Sequence, residues 1–261
     1  MTEGAVVKKM NTDMLPLSES LAERRIQLPG GVLDDEGACH KIVHLRELTG
    51  ADEELLCERY VENGAHQVTR LLTRVIERIE GLDVPIDDQL TGSMLIGDRD
   101  YLLLRLRQIE VGDHVHQVIR CPSPACGKKV DVDFLVSEIN VARANVIATS
   151  YRVALGDVGL NALVRLPAGS DQAAIASLAV SNPAAANTRL FSRLILKWSD
   201  VGTLDEEQVR ALPFKQRQQL AAFLERTAPG PDLYLDVQCP MCGVAMPYTF
   251  DLNAFFLPSE R

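Results

Sequence analysis

Two short cysteine motifs constrain this chain more than anything else in it: Cys121-Pro-Ser-Pro-Ala-Cys126-Gly127 and Cys239-Pro-Met-Cys242-Gly243. Two closely spaced thiol pairs are the ligand set of one tetrahedral metal ion, and each pair sits where two strands would meet at a tight turn. Pro122 and Pro240 bias Cys121 and Cys239 toward extended backbone, so each should close a strand. Gly127 and Gly243 follow the second thiols, where reversal of the chain calls for positive φ. The flanks alternate with period two. Val115, Gln117 and Ile119 precede the first motif, and Val130, Val132 and Phe134 follow it; Leu233, Leu235 and Val237 precede the second, and Met246, Tyr248 and Phe250 follow it. Counted from the glycines, Val130 matches Met246, Val132 matches Tyr248 and Phe134 matches Phe250, an internal repeat of two hairpins.

An isolated two-stranded hairpin is marginal in water because its one apolar face has nothing to cover it. Two hairpins sharing an ion cover each other. The reading is therefore one structural zinc held by Cys121, Cys126, Cys239 and Cys242, pinning two distant segments into a zinc ribbon. A disulfide framework fits less well, since six cysteines in 261 residues is sparse and residues 1–29 lack the apolar core of a signal peptide. A redox Cys-x-x-Cys usually opens a helix, whereas a β-like run follows Cys242. Catalytic zinc needs an open coordination position, which four thiolates do not leave, so His114 and His116 read as solvent-facing strand residues. Cys39 and Cys57, without close partners, read as small buried or half-buried hydrophobes.

The periodicities predict an α+β fold: hairpins from two distant segments, packed with helices, plus a mostly helical insertion. Residues 1–28 read as a flexible tail with a short helix from Ser20 to Ile26, and Pro29-Gly30-Gly31 as a turn. In the N-terminal α/β region, 29–140, Cys39 to Leu45 reads as a strand and Thr49 to Tyr60 as a short acidic helix. Val68, Leu71, Leu72, Val75, Ile76 and Ile79 form one apolar helical stripe ended by Gly81. After a loop containing Pro85 and Asp87-Asp88, Asp98 is expected to cap a helix that Gly112 stops. In the insertion, 141–228, Tyr151–Leu155 and Leu163–Leu166 read as strands, and Ser170 as a helix cap. Pro183 opens a helix whose Phe191, Leu194, Ile195 and Trp198 share a face; Thr203 to Glu206 reads as a capping box, and Pro213 begins the last helix. Residues 229–261 complete the ribbon.

A net charge of -9 opposes phosphate tracking, and Asp131 and Asp133 offset the small cluster Arg120, Lys128 and Lys129, so no nucleic-acid partner is expected. No run approaches a bilayer span, so no membrane association is expected either. Phosphate-binding glycine loops, nucleophile elbows and paired acid motifs are missing, which favours a binding module over an enzyme. The alternative is a zinc-ribbon regulator that binds nucleic acid.

Several blocks together resemble the T-even-type phage baseplate hub assembly chaperone family, with relatives beside phage-tail-like contractile injection systems. They are Leu45 to Leu56, Leu95-Ile-Gly-Asp-Arg-Asp-Tyr-Leu-Leu-Leu-Arg-Leu-Arg107 with Gly112-Asp113 and the first motif, and Cys239 to Gly243 leading to Phe250-Asp-Leu-Asn-Ala-Phe-Phe256. In order and spacing the likeness spans roughly residues 35–258. It implies a cytoplasmic assembly factor, chaperone or minor component, whose partners are baseplate or hub proteins in a bacterial or phage-infected cell. The expected contact surfaces are the N-terminal tail and the C-terminal Phe255, Phe256 and Leu257, unless those aromatics pack beneath the ribbon.

Overall fold

The computed structural model describes residues 15–16, 24–57, 64–156, 160–199 and 202–249. The architecture is α+β, with small antiparallel sheets and helices. In chain order the first part runs β1 (Leu15–Pro16), β2 (Arg25–Leu33), β3 (Cys39–Leu45), α1 (Gly50–Cys57), α2 (Gly64–Val75), β4 (Ile76–Ile79), α3 (Asp88–Ser93), α4 (Ile96–Val111), β5 (His114–Arg120) and β6 (Lys129–Leu135). After β7 (Asn140–Ala142) come β8 (Tyr151–Leu155), β9 (Leu160–Val164), α5 (Gly169–Ser181), α6 (Pro183–Leu194), β10 (Ile195–Trp198), α7 (Glu206–Arg210), α8 (Phe214–Thr227), β11 (Gly230–Pro231), β12 (Tyr234–Gln238) and β13 (Ala245–Thr249). No helix among the described residues is long and apolar enough to cross a membrane.

The second part repeats the first. Sheet β2-β3-β4 has its counterpart in β8-β9-β10, and the registers of β3–β4 and β9–β10 coincide: Val43 pairs with Ile79 as Ala162 with Trp198, and Leu45 with Ile76 as Val164 with Ile195. The counterparts of β3 and β4 lie 119 residues on, as do the helices α5 and α6 that answer α1 and α2, while Ile26 of β2 and Val153 of β8, opposite Val43 and Ala162, are 127 apart. Polar contacts follow the same shift. Asp52 is buried, takes a two-pronged grip from Arg46 (2.7 and 2.9 Å) and accepts the Thr49 N–H at 2.9 Å. Asp171, also buried, is gripped by Arg165 (2.6 and 2.9 Å), accepts the Ala168 N–H at 3.0 Å, and gains Arg193 Nε at 2.7 Å. Thr69-Arg70-Leu71 returns as Thr188-Arg189-Leu190. From α3 onward the shift is 118: Asp87 caps α3 through the Leu90 N–H, and Asp205 caps α7 through the Gln208 N–H. Residues 141–228, expected as a mostly helical insertion, carry helices α5–α8 and also strands β8–β10. Their helices and strands form a second copy of the unit that precedes the first hairpin.

Several sequence expectations need correction. The apolar stripe continues past α2 in spacing only, because Ile76 and Ile79 belong to β4. A register shift lets both face the core: Leu45 pairs with Ile76 and His44 with Arg78, leaving Glu77 as an extra residue. The same bulge puts Ile195 and Trp198 in β10 rather than on the face of α6. Such a bulge imitates the i, i+3 spacing of a helix, while the β-branched pair Val75-Ile76 favours leaving it. Residues 17–23 lie outside the described residues, but Arg25 to Leu28 belong to β2 and Ile26 is fully buried, so neither the tail nor its short helix extends to them. Pro29-Gly30-Gly31 is a register shift within β2, not a turn. Asp87-Asp88 starts helix α3. Strand β9 lies three residues earlier at its start than Leu163. Neither Ser170 nor the Thr203 to Glu206 box provides the cap expected of it: Asp171 reaches back to Ala168, and Asp205 and Gln208 cap each other. Cys39 is half-buried as expected, but Cys57 is exposed.

Helix α4 is the centre of the molecule. Ten of its sixteen residues are buried, because apolar and long polar side chains alternate around its whole circumference. Asp98 does not cap it; Leu95 holds that position without a side-chain bond, and Asp98 instead accepts the Gly30 N–H (2.7 Å) and Gly31 N–H (2.8 Å) of β2. Burial pushes its carboxyl up to about 6 against the pull of those two amides. Gly112, at φ +105, ends the helix and hands the chain to β5.

Candidate metal centre

The two hairpins close with corresponding registers. Ile119 pairs with Val130 and Arg120 with Lys129; Val237 pairs with Met246 and Gln238 with Ala245. The strands stop one residue short of the expected Cys121 and Cys239, and the loops are residues 121–128 and 239–244. Each loop is closed at its base by the first cysteine, Cys121 N–H to Lys128 C=O and Cys239 N–H to Val244 C=O, both 2.9 Å. The glycines behave as their position requires, with φ +54 at Gly127 and +70 at Gly243. Inward residues Val115, Val130, Val132 and Phe134 of the first hairpin share one core with Val237 and Met246 of the second and with the sheet of the first repeat. The second hairpin thus leaves the core of its own repeat, which β8–β10 and α6–α8 form separately, and docks on the first.

This exchange brings all four predicted thiols together. Cys121 Sγ lies 3.7 Å from Cys242 Sγ, Cys126 Sγ lies 3.9 Å from Cys239 Sγ, and all four sulfurs fall within 4.8 Å of one another. A tetrahedron with metal–sulfur bonds of about 2.3 Å has edges of about 3.8 Å, whereas a disulfide requires about 2.05 Å. The cluster thus has the dimensions of a four-thiolate ion cage. Cross-pairing between hairpins also means that neither hairpin completes the cage alone. Cys121 and Cys239 are buried, Cys126 is half-buried and Cys242 is exposed, so the cage opens to solvent on one edge.

The protonation preferences fit the same use. At Cys239, burial opposes ionisation, but the N–H groups of Met241 and Cys242 and the neighbouring thiols bring it down to about 7. The Ser123 amide favours the Cys121 thiolate yet is outweighed by burial and the three other thiols, which push it up to about 12. Cys242 is also raised, the Val244 amide being outweighed by burial and Cys239. Four thiols at this spacing cannot all ionise unless a cation joins them. His114 and His116 stand outside the cluster, exposed and facing Asp133 and Asp131, as strand residues on the solvent side do. On the basic edge, Arg120 donates to the Gly127 carbonyl at 3.0 Å and so braces the first loop. Phe250, Phe255, Phe256 and Leu257 lie outside the described residues.

Sequence reasoning missed the duplication and the two carboxylates that mark it. The signal was present: Arg46 and Asp52, six residues apart, recur as Arg165 and Asp171 at the same separation, each pair following a β-like run.

Compared with known proteins, no curated protein and no solved structure matches the chain. A family model described as T4 bacteriophage base plate protein matches residues 32–257, which takes in both cysteine motifs, the second repeat and all of the first except most of β2. The chain belongs to the T4 bacteriophage base plate protein family.

Proposed function

We propose that this protein is a non-enzymatic assembly factor, chaperone or minor component, for the baseplate or hub of a contractile phage tail or phage-tail-like injection system, acting in the cytoplasm before or during assembly. The family match over residues 32–257 carries the reading. Two further observations support it. The donor set of the thiol cage is the closed, all-sulfur kind that suits structural zinc, and Cys121, Cys126, Cys239 and Cys242 would hold the ion. The net charge of -9 suits a protein partner better than a nucleic acid. When bound, zinc would supply a fixed four-way crosslink and no open position for substrate. The chain's own part is to carry the two knuckles on separate repeats, so that closing the cage fixes how the second hairpin sits on the first repeat.

The test is genetic and biochemical together. Deletion of the gene is expected to abolish assembled particles, and tagged protein is expected to capture baseplate or hub proteins. Normal particle yield in the deletion strain would overturn the assignment.

A further inference from the structure

The contact between the repeats is one-sided, and among the described residues it leaves one copy of each contacting surface open. The first repeat supplies a platform. Arg99, buried between α2 and α3, donates to Thr69 Oγ1 (2.9 Å), the Thr91 carbonyl (2.8 Å) and the Ala65 carbonyl (2.8 Å). Onto its guanidinium the second repeat sets the first turn of α5, so closely that a Cβ on Gly169 would lie 2.2 Å from Arg99 Nη1. The edge is stitched by Ile96 N–H to the Pro167 carbonyl (3.2 Å) and Gly169 N–H to the Met94 carbonyl (3.0 Å).

The second repeat rebuilds the platform. Arg217, the counterpart of Arg99, donates to Thr188 Oγ1 (3.0 Å), the Val209 carbonyl (3.0 Å) and the Ala184 carbonyl (3.2 Å). Leu212 and Phe214 stand where Met94 and Ile96 stand in the first repeat, and Phe214 is 75% exposed. The matching plug also exists. Helix α1 begins at Gly50, the counterpart of Gly169, and Leu48 occupies the place of Pro167. Gly50 is exposed, and a Cβ there would meet nothing within 4 Å among the described residues. Among the described residues, a vacant platform and a vacant plug are thus on one chain, in the chemistry that the chain already joins internally.

We propose that these surfaces form a head-to-tail contact between copies of this chain. The first turn of α1 from one copy seats on the Arg217 platform of the next, with Phe214 N–H bonding the Leu48 carbonyl and Gly50 N–H bonding the Leu212 carbonyl. Charge agrees with the pairing. Ala173 lines the groove beside Arg70 in the internal contact, and its counterpart on α1 is the exposed Glu54, which would face Arg189, the counterpart of Arg70, half-exposed in its ion pair with Glu206 at 2.8 Å. Because the two surfaces differ, every copy offers one of each, and the contact closes into a ring or propagates as a filament. The inference does not depend on the metal or on the proposed function.

Sedimentation velocity of the full-length, metal-loaded chain over a concentration series tests it. The mass is expected to rise above one chain as concentration increases. Gly50→Trp and Phe214→Asp, both at exposed positions, should each reduce the protein to single chains while leaving circular dichroism and metal content unchanged. Each variant keeps one working surface, so their equimolar mixture should form a two-chain species and go no further. Glu54→Arg should weaken association without blocking it sterically. A single-chain mass at every concentration, association that survives both substitutions, or a mixture that stays at single chains would overturn the proposal.

Discussion

Substitution Gly97→Ala isolates the contact between repeats, because two effects of known sign oppose each other there. Gly97 lies in the first turn of α4, where an alanine would ordinarily stabilise the helix by up to about 1 kcal/mol. Its missing Cβ leaves room for backbone from the second repeat: a Cβ would lie 1.9 Å from the Pro229 carbonyl oxygen and 2.7 Å from the Gly230 Cα. Carbon atoms pack comfortably at about 3.5–4.0 Å, so one backbone must withdraw by more than an ångström. Neither is free to do so. Gly230 pairs with Ala142, Asp232 N–H bonds the Asn140 carbonyl at 2.8 Å, and Ile96 N–H is held by Pro167. Overpacking of this kind costs about 1–3 kcal/mol and each backbone bond lost about 1 more, against the propensity gain, giving a net loss of about 2–4 kcal/mol. The chain carries its own control, since the counterpart position in α8 is Lys215. There Lys215→Ala should shift stability by less than about 0.5 kcal/mol. Urea denaturation followed by circular dichroism reads both. A Gly97→Ala protein as stable as the parent, or more so, would show that the close approach of the repeats does not exist.

Elemental analysis of native protein is expected to find one zinc per chain. Chelation should make the four thiols titratable and speed hydrogen exchange across β5, β6, β12 and β13, while β2–β4 keep their protection; a structural zinc contributes about 10–16 kcal/mol of apparent binding energy. Asp171 loses ionisation energy to burial, but Arg165, the Ala168 amide and Arg193 more than restore it and hold its carboxyl below the usual range. Its stabilising effect is therefore complete above the unfolded value near 4 and lost as pH falls through the lower folded value. Asp171→Asn should cost about 3 kcal/mol at neutral pH and flatten the acid limb of a stability–pH curve; Asp52→Asn, with one arginine partner rather than two, should cost less. Asp98→Asn should cost about 1–3 kcal/mol in thermal or urea unfolding, because Gly30 and Gly31 donate to different carboxylate oxygens and the amide puts a donor NH2 in place of one of them.

The hairpins were readable because each position carries its own mechanical demand. Proline, thiol, glycine and alternating strand residues all had to agree, and a departure at any of them would have removed the signal. Strand β3 and helix α1 were readable for the same local reason. The α2–β4 and α6–β10 boundaries were not, since a bulge with apolar residues at i and i+3 has the spectrum of a helix. Asp98 followed a glycine at the head of an apolar run, as a cap would, but its partners lie on β2, far away in sequence. Local pattern has no access to that distance.

The duplication is hidden for a different reason, and its concealment says which interactions the unit needs. Between the repeats the offset drifts from 127 in the first strand to 119 in the other two, 118 at α3 and 116 past the second loop, so no single shift aligns them. What persists is sparse: the Arg46–Asp52 and Arg165–Asp171 pairs, the Thr69–Arg99 and Thr188–Arg217 clamps, and the thiols. These are the groups whose replacement would strand a buried charge or donor, and the apolar positions between them vary because volume can be refilled in many ways. Glycine follows neither rule. Gly97 and Gly169 stand at the contact between repeats, where counterpart positions carry Lys215 and the open Gly50. Side-chain chemistry thus maintains each unit, while the absence of side chains permits the two to meet. The metal cage lies beyond that contact, where the second hairpin crosses to the first repeat, and a chain that had lost the close approach at Gly97 would be expected to bring its thiols together less often.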